Sequence, residues 1–286
     1  MSLSQEDKTK RTSSPLPSTK SAAEEAKTSP ASFSTTVAKA LSIIEFLAAC
    51  AEAGISLTEL STSLNMPKST AHRYLATLLE LNLAERSDTD RFRLGTKVIE
   101  LAGSFLASSD IRKESIPILD EMAEKTGETI HLAVPSGAEV VYIAKVESRH
   151  TLGMFSHIGA RLPMSSTALG KSILAFSGPE RIQAVLSDLP KPRTPNTLNS
   201  EAALREELVQ VRSQGFAVDN EENEIGICCV GAPILDYTGM AIAAMSISGP
   251  CERMDRERCI QLGPLLREAT MKISKRKGFT DLNNLG

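Results

Sequence analysis

The sequence contains no tryptophan, and aromatic residues make up only 4% of its 286 positions. Its apolar runs are short as well, since the stretch from Leu41 to Ala51 is interrupted by Ser42 and Glu45. A membrane-spanning helix needs about 20 consecutive apolar residues, so these runs are too short to cross a bilayer. The polar first ten residues also lack the apolar centre of a secretory signal. Together these absences predict a cytoplasmic protein without a membrane partner.

Cysteine is scarce, and neither charge sign dominates. The five cysteines are odd in number and have no paired spacing, which predicts reduced thiols rather than a disulfide framework. The sequence has no zinc-ligand spacing and no Gly-rich phosphate loop, so we expect no metal and no other cofactor. The formal net charge of -3 excludes a protein that is basic throughout. Any contact with nucleic acid must therefore come from a local group of residues.

The composition changes near residue 34. Residues 1–33 are rich in Ser, Thr, Pro, Lys and Glu with few large apolar side chains, which predicts a disordered tail. Apolar residues then recur every three or four positions from Val37 to Ala48, which is typical of a helix, and Gly54 ends this pattern. The length of the chain is sufficient for two domains, each with a core of its own.

Residues 56–94 have the pattern of a winged helix-turn-helix. Ser56 and Glu59 have the spacing of a capping box before a short helix, and Pro67 suits the first turn of a longer one. A turn-like stretch follows, after which Phe92 lies between two arginines, as in a two-stranded wing with its arginines outward. Other small domains also consist of three helices and a hairpin, so the outward side chains must decide whether this domain binds DNA.

The outward side of the longer helix has the chemistry of DNA contact. No acidic residue occurs from Asn65 through Leu79. Lysine and arginine can bind phosphates or guanine edges, and serine and threonine can donate hydrogen bonds to phosphates. We therefore predict a domain that binds double-stranded DNA over residues 34–95. The predicted DNA-binding residues are Lys68, Ser69, Thr70, His72, Arg73, Thr77, Arg91 and Arg93.

A linker helix and a larger domain are predicted after the wing. Residues 96–110 have an apolar side that either packs on its own domain or, in the interpretation we prefer, forms a dimer contact that sets the spacing of two recognition helices. Residues 111–278 mix helical and strand patterns, including a strand at 152–156 and a helix that begins near Ser165. The prediction is an α+β fold whose second domain has one antiparallel sheet flanked by helices. Residues 279–286 are predicted to be a short tail.

Six blocks of the sequence, in the same order and with matching gaps, resemble the IclR family of bacterial transcriptional regulators. They are TVAKALSIIEFL, SLTELSTSLNMPKSTAHRYLATL, RFRLGTKVIELA, GARLPMSSTALGKSILA, GFAVDNEENEIGICCVGAPI and AAMSISGP. The resemblance implies a winged helix-turn-helix, a linker helix and a GAF-like effector-binding domain, in dimers that pair into tetramers on a palindromic operator. The segments ETIHLAV, MFSHIGARLPMSSTALGK and DNEENEIG look most like regulators of 2-keto-3-deoxygluconate and related sugar-acid catabolism.

An effector pocket is predicted in the second domain. The helix that begins near Ser165 would present free N–H groups and the positive end of its dipole, which suit the carboxylate of a small organic acid. The resemblance implies effector contacts by Thr167, Ala168, Leu169, Asp219, Cys229, Ser246 and Ser248. Ser246 and Ser248 are two apart in a strand, so their hydroxyls share one face. Structural roles are the alternative: Asp219 can cap a turn, and Cys229 can be a small core residue.

Two other functions fit parts of the sequence. An enzyme could use Cys229 as a nucleophile and His131 as a base, although no catalytic motif accompanies them. A thiol-based redox-sensing regulator could use Cys228 and Cys229, although adjacent cysteines rarely form an unstrained disulfide. The sequence favours a DNA-binding transcriptional repressor without enzymatic activity, whose operator binding responds to a small organic acid.

Overall fold

The computed structural model describes residues 34–50, 54–108, 110–150 and 156–280. The predicted tail over residues 1–33 and nearly all of the strand predicted at 152–156 lie outside the described residues. The chain divides into two compact units between Ser104 and Phe105.

The first unit is built from three helices and a two-stranded hairpin. Its elements are α1 (Thr35–Ala49), α2 (Leu57–Ser63), α3 (Lys68–Glu80), β1 (Ala84–Arg86), β2 (Phe92–Leu94) and the first part of α4 (Lys97–Ser108). Phe92 also pairs with Ile55 in an isolated antiparallel bridge, which joins the wing to the segment before α2. The side chains of Ile43, Leu60 and Leu75 form the centre of the buried cluster in this unit.

The turn between α2 and α3 follows the predicted pattern. The Ser56 side chain accepts from the Glu59 N–H, and the Glu59 carboxylate accepts from the Ser56 N–H, so both halves of the capping box are present. Asn65 adopts a left-handed conformation with a φ of 46°, which turns the chain between the helices. Pro67 is the N-cap of α3 rather than its first helical residue. The prediction of two helices joined by a tight turn is therefore confirmed.

The second unit contains a six-stranded antiparallel sheet in the order β5-β4-β3-β8-β7-β6. Its strands are β3 (Thr129–Ser136), β4 (Glu139–Val146), β5 (Arg161–Pro163), β6 (Ala217–Asn220), β7 (Ile227–Leu235) and β8 (Ala241–Pro250). Its helices are α5 (Asp110–Thr126), α6 (Ala168–Ala175), α7 (Pro179–Ser187), α8 (Glu201–Gln214) and α9 (Arg256–Arg276). The predicted antiparallel sheet with flanking helices is confirmed.

The two faces of this sheet differ in chemistry because alternate residues of a strand point to opposite sides. Helices α5 and α9 cover one face, where Met245 and Ile247 of β8 lie in a large apolar cluster. Helices α6, α7 and α8 cover the other face with a second apolar cluster. Ser246 and Ser248 alternate with the apolar residues of β8 and are buried on this second side. The sheet therefore has one apolar face and one face with a polar region.

The prediction that all cysteines are reduced is wrong for one pair. Cys228 and Cys251 form a disulfide, with their Cα atoms 5.1 Å apart. The pairing of Ile227 with Pro250 at the ends of β7 and β8 brings the two cysteines together. An odd count and irregular spacing in the sequence carry no information about this strand register, which is why the pair was missed.

The C-terminal end of the second unit differs from the prediction. Phe279, which we assigned to the C-terminal tail, is partly buried against the cluster under α6, α7 and α8. Within the part of the chain that the structure describes, none of the helices combines the length and apolar character needed to cross a membrane.

Candidate DNA-binding surface and ligand pocket

The exposed side of α3 carries most of the predicted DNA-binding residues. Ala71, Leu75 and Leu78 are buried in the first unit, so the side chains between them face solvent. Those exposed are Lys68, Ser69, His72, Arg73 and Thr77, and Thr70 is partly exposed. The first acidic residue of α3 is Glu80, at its last position. The surface of α3 therefore offers cations and hydroxyls to a polyanion without an intervening carboxylate.

The two predicted wing arginines differ in their surroundings. The Arg91 guanidinium donates to the Gly54 carbonyl oxygen at 3.1 Å and lies 3.1 Å from the Glu59 carboxylate. The sequence predicted that the Arg91 side chain points outward. It instead joins the wing to the start of α2. Arg93 is exposed and forms an ion pair with Glu85 on the neighbouring strand. The wing consequently presents less free positive charge than the sequence suggested.

A cavity of about 120 Å³ lies between α6 and the polar region of the sheet. Pockets for drug-sized ligands measure roughly 300–1,000 Å³, so this cavity suits a small metabolite. All seven residues predicted to contact the effector line it: Thr167, Ala168, Leu169, Asp219, Cys229, Ser246 and Ser248. The fold thus brings residues from one helix and three strands to a single site.

The N-terminus of α6 lies directly on the sheet. Thr167 is its N-cap, with Oγ1 accepting from the Gly170 N–H at 3.1 Å. The N–H groups of Ala168 and Leu169 are in the first turn, where a helix provides no acceptor. The close approach requires Gly231 on β7, since a Cβ there would lie 2.6 Å from the carbonyl carbon of Ala168. Such a helix end favours the binding of an anion.

Asp219 forms a buried wall of the cavity and also caps the loop that follows β6. Its Oδ1 accepts from the N–H of Glu222 at 2.7 Å and from that of Asn223 at 3.4 Å. Burial and the neighbouring Glu222 carboxylate raise the pKa of Asp219 to about 7. Near neutral pH this carboxyl group is present in both forms, so it can donate or accept a hydrogen bond.

A buried lysine joins α6 to the same loop. Lys171 Nζ donates to Glu222 Oε1 at 2.5 Å, to Glu207 Oε1 at 2.9 Å and to the Val218 carbonyl oxygen at 2.6 Å. Burial lowers the pKa of a lysine, but the two carboxylates outweigh this and hold the pKa of Lys171 above its ordinary value. The lysine therefore fixes the wall of the cavity relative to its helix.

The arrangement does not support cysteine chemistry. β8 lies between the strands of Cys229 and His131, and the two residues are in different cross-strand rows, so their Cα atoms are separated by more than two strand spacings, or more than about 10 Å. His131 Nε2 is instead 2.8 Å from Ser156 Oγ. Burial and the nearby Asp219 raise the pKa of the Cys229 thiol well above its ordinary value, whereas a reactive cysteine needs a lowered pKa. Cys228 faces the other side of the sheet in its disulfide.

Several residues at these sites were not predicted. The cavity is also lined by Tyr142, Ser156, His157, Ala160, Leu162, Asn223, Glu224 and Ile227. Strand alternation on β4 is a signal for Tyr142. Asn223 and Glu224 lie in DNEENEIG, a segment that the family resemblance singled out, but neither was assigned to the pocket. Leu162 belongs to β5, where it is the only large apolar residue and is followed by a proline, which is uncommon in strands. In the wing, exposed Arg86 lies over the Phe92 ring at 5.7 Å.

Comparisons with known proteins identify two family models that match this chain. Residues 36–88 match the IclR helix-turn-helix domain, and residues 103–275 match the family model described as bacterial transcriptional regulator IclR C-terminal. The regulator KdgR of Escherichia coli is 37% identical over 80% of this chain and 88% of its own length. The transcriptional repressor IclR of Escherichia coli is 31% identical over 82% of this chain and 87% of its own.

Solved structures give the same result. A crystal structure of IclR from Thermotoga maritima has a TM-score of 0.70 and 38% identity, covering 85% of this chain and 99% of the other. The C-terminal domain of Escherichia coli KdgR has a TM-score of 0.53 and 36% identity, covering 60% of this chain and 100% of that domain. These relatives are regulators rather than enzymes. The chain belongs to the IclR family of bacterial transcriptional regulators, whose members bind DNA through a helix-turn-helix and respond to small-molecule effectors.

Proposed function

We propose that this protein is a cytoplasmic repressor that binds a palindromic operator as a homodimer or homotetramer, and that a small organic acid in the cavity beside α6 changes its operator affinity. The observation that carries the proposal is the convergence of all seven expected effector residues on one cavity. Similarity to KdgR proteins at 36–37% identity supports a keto or sugar acid as the effector.

The carboxylate of the acid binds at the N-terminus of α6. The N–H groups of Ala168 and Leu169 and the positive end of the helix dipole hold the negative charge there. Ser246 and Ser248 offer hydroxyls from β8, and their Oγ atoms are 3.3 Å apart. Asp219 and Cys229 complete the wall, where a carboxyl group can bond an effector hydroxyl.

DNA binding depends on α3, which lies in the major groove of the operator. Lys68 and Arg73 contact phosphates or base edges, and Ser69, Thr70 and Thr77 donate to phosphates. His72 and the exposed Arg93 of the wing complete the contact surface, with Arg91 supporting the wing through its bonds to the start of α2. The net charge of the protein adds little attraction to DNA, so the spacing and orientation of paired recognition helices supply much of the selectivity for the operator.

Oligomerisation uses the apolar side of α4. Leu101 and Phe105, which share one side of the helix, are 56% and 60% exposed in the single chain, and large exposed apolar patches mark interaction sites. Contact between two copies of this helix sets the distance between two copies of α3. The effector favours one arrangement of the dimer, and operator affinity changes with it.

Separate variants test the two binding sites. Arg73→Ala should weaken the retardation of a promoter fragment about 10–100-fold, because one good side-chain contact to a base is worth about 1–3 kcal/mol. The same variant should keep the rise in melting temperature that an effector acid produces, since ligand binding stabilises the folded state. Asp219→Ala should lose that rise while the fragment is still retarded.

Matched controls accompany each variant. Arg276→Ala removes an exposed arginine from α9, and Asp120→Ala removes an exposed aspartate from α5; both should behave as the unchanged protein does in both assays. Loss of DNA retardation and ligand stabilisation together in Arg73→Ala or in Asp219→Ala would contradict the assignment of separate sites.

A further inference from the structure

The polar residues of the cavity are arranged in rows that run across the strands. In the first row Asp219 on β6 pairs with Cys229 on β7, which pairs with Ser248 on β8. Directly paired residues in a sheet point to the same face. Ser248 in turn pairs with Thr129 on β3. The row of expected effector contacts therefore continues by one further polar residue.

A second row lies beside the first. Gly231 on β7, over which the N-terminus of α6 lies, pairs with Ser246 on β8. Ser246 pairs with His131 on β3. Neighbouring strands are about 4.8 Å apart, so His131 lies about 10 Å from the strand position beneath the N-terminus of α6. This row also extends past the serine to a polar side chain on β3.

The two added residues are buried and incompletely satisfied. Thr129 and His131 each have no solvent exposure, and neither Thr129 Oγ1 nor His131 Nδ1 has a hydrogen-bond partner among the described residues. Buried polar atoms in native proteins are nearly always bonded, and each exception needs an explanation. Both exceptions occur next to serines that line the cavity.

The chemistry of these groups is suited to an uncharged partner. Burial and the neighbouring Lys145 lower the pKa of His131 to about 3, so its ring is neutral and has one donor and one acceptor. The ring stacks on Tyr142 at 4.4 Å between centroids, and its Nε2 is 2.8 Å from Ser156 Oγ. Tyr142 and Ser156 both line the cavity. Such a surface can both donate and accept hydrogen bonds, so a ligand hydroxyl, which does both, or a ligand carbonyl, which accepts, can bond to it.

We propose that Thr129 and His131 form a second subsite of the effector pocket, which binds a hydroxyl group in the tail of the acid whose carboxylate is held at the N-terminus of α6. This inference rests on the proposed function, because it assumes an organic acid at α6. The separation of about 10 Å means that a three-carbon acid at α6 does not reach the subsite, whereas a hydroxylated six-carbon acid does.

A pair of probe acids tests the subsite. Pyruvate and 2-keto-3-deoxygluconate share a carboxylate and a keto group, and the second adds a hydroxylated tail. Isothermal titration should show that Thr129→Val weakens the binding of 2-keto-3-deoxygluconate about tenfold, the typical effect of one lost hydrogen bond. Binding of pyruvate should change by less than about twofold. Thr129→Ser, which keeps the hydroxyl, should bind both acids as the unchanged protein does.

The histidine is tested in parallel. His131→Phe keeps a ring to stack on Tyr142 but removes both nitrogen atoms. It should therefore also weaken the binding of 2-keto-3-deoxygluconate and leave the binding of pyruvate nearly unchanged. Ser115→Ala on α5 is a matched control, because Ser115 is buried and bonds only to the Ile111 carbonyl oxygen in the described structure. This control should leave both affinities unchanged.

The outcomes separate the two levels of the proposal. Equal weakening of both acids in Thr129→Val and His131→Phe, or no change for 2-keto-3-deoxygluconate, would overturn the subsite while an acid pocket at α6 remains. Binding of pyruvate alone by the unchanged protein would also overturn it. If the unchanged protein binds neither these probes nor any other small keto or hydroxy acid, the organic-acid part of the proposed function fails, and the subsite fails with it.

Discussion

The two units of this protein place their functional side chains in opposite environments. On α3, Lys68 and Arg73 are exposed, and the buried positions of the helix are apolar. In the second unit, Asp219 and Lys171 are buried together under the helices that cover the sheet. A surface of exposed charges costs little to maintain, whereas buried charges must be bonded or neutralised. Substitutions in the ligand pocket should therefore alter stability together with binding, and those on α3 should alter binding alone.

The strongest test of this difference removes the buried lysine. Lys171→Met leaves the carboxylates of Glu222 and Glu207 without their cation, and breaking a buried ion pair costs about 3–5 kcal/mol. The free energy of unfolding of the second unit, measured by urea denaturation, should fall by that amount. Lys125→Met is the matched control, since Lys125 pairs with Glu121 on the exposed side of α5, and it should cause no measurable change. If Lys171→Met lowered the free energy of unfolding only slightly, buried charges in the second unit would be no more important for stability than exposed ones in the first.

An intermediate effect is expected from the protonation of Asp219. Its pKa is about 7 in the folded chain and about 3.9 in an unfolded one. The folded state therefore holds this proton more tightly, and the unchanged protein loses stability as the pH rises from about 4 to 7. Asp219→Asn removes this loss and keeps an acceptor for the loop N–H groups. It should be more stable than the unchanged protein at pH 8 by up to about 4 kcal/mol, the equivalent of this pKa difference, with the difference disappearing near pH 4.

Urea denaturation at pH 5, 6, 7 and 8 measures this difference. Asp120→Asn, which alters an exposed residue of α5, controls for the general effect of removing one negative charge. A constant stability difference between Asp219→Asn and the unchanged protein across this range would show that the Asp219 carboxyl is ionised throughout.

The smallest effect is expected in the first unit. Ser56→Ala removes one half of the capping box before α2, which should lower the stability of that unit by about 1 kcal/mol. Operator affinity at a temperature well below the transition should be unchanged, because Ser56 lies outside α3. Ser56→Thr preserves the cap and should be close to the unchanged protein. A fall in operator affinity in Ser56→Ala at such a temperature would mean that stability and binding are coupled in this unit too.

Local features of the fold could be predicted from the sequence because they depend on neighbouring residues. Ser56 and Glu59 identified the start of α2 through their spacing alone. The start of α6 was predicted near Ser165 and is at Ala168, since Ser165, Ser166 and Thr167 are all suitable N-cap residues. β5 contains one large apolar residue followed by a proline, which is uncommon in strands, so it was missed.

Features that depend on strand order could not be predicted in the same way. The Cys228–Cys251 disulfide follows from the register of β7 and β8. Thr129 is placed beside Ser248 by the pairing of β3 with β8, across more than one hundred residues of chain. The seven expected effector residues were predicted through family resemblance rather than from local pattern. The ion pair of Arg91 with Glu59 also depends on tertiary contact.

The absence of a side chain at Gly231 has a consequence for how ligand preference can change. Alanine at this position would place a methyl carbon within 2.6 Å of the α6 backbone, so helix and sheet would have to separate. The peptide groups at that end would then no longer meet a bound ligand at the same height above β7. New preferences are therefore expected to arise through substitutions elsewhere around the bound molecule, with the glycine retained.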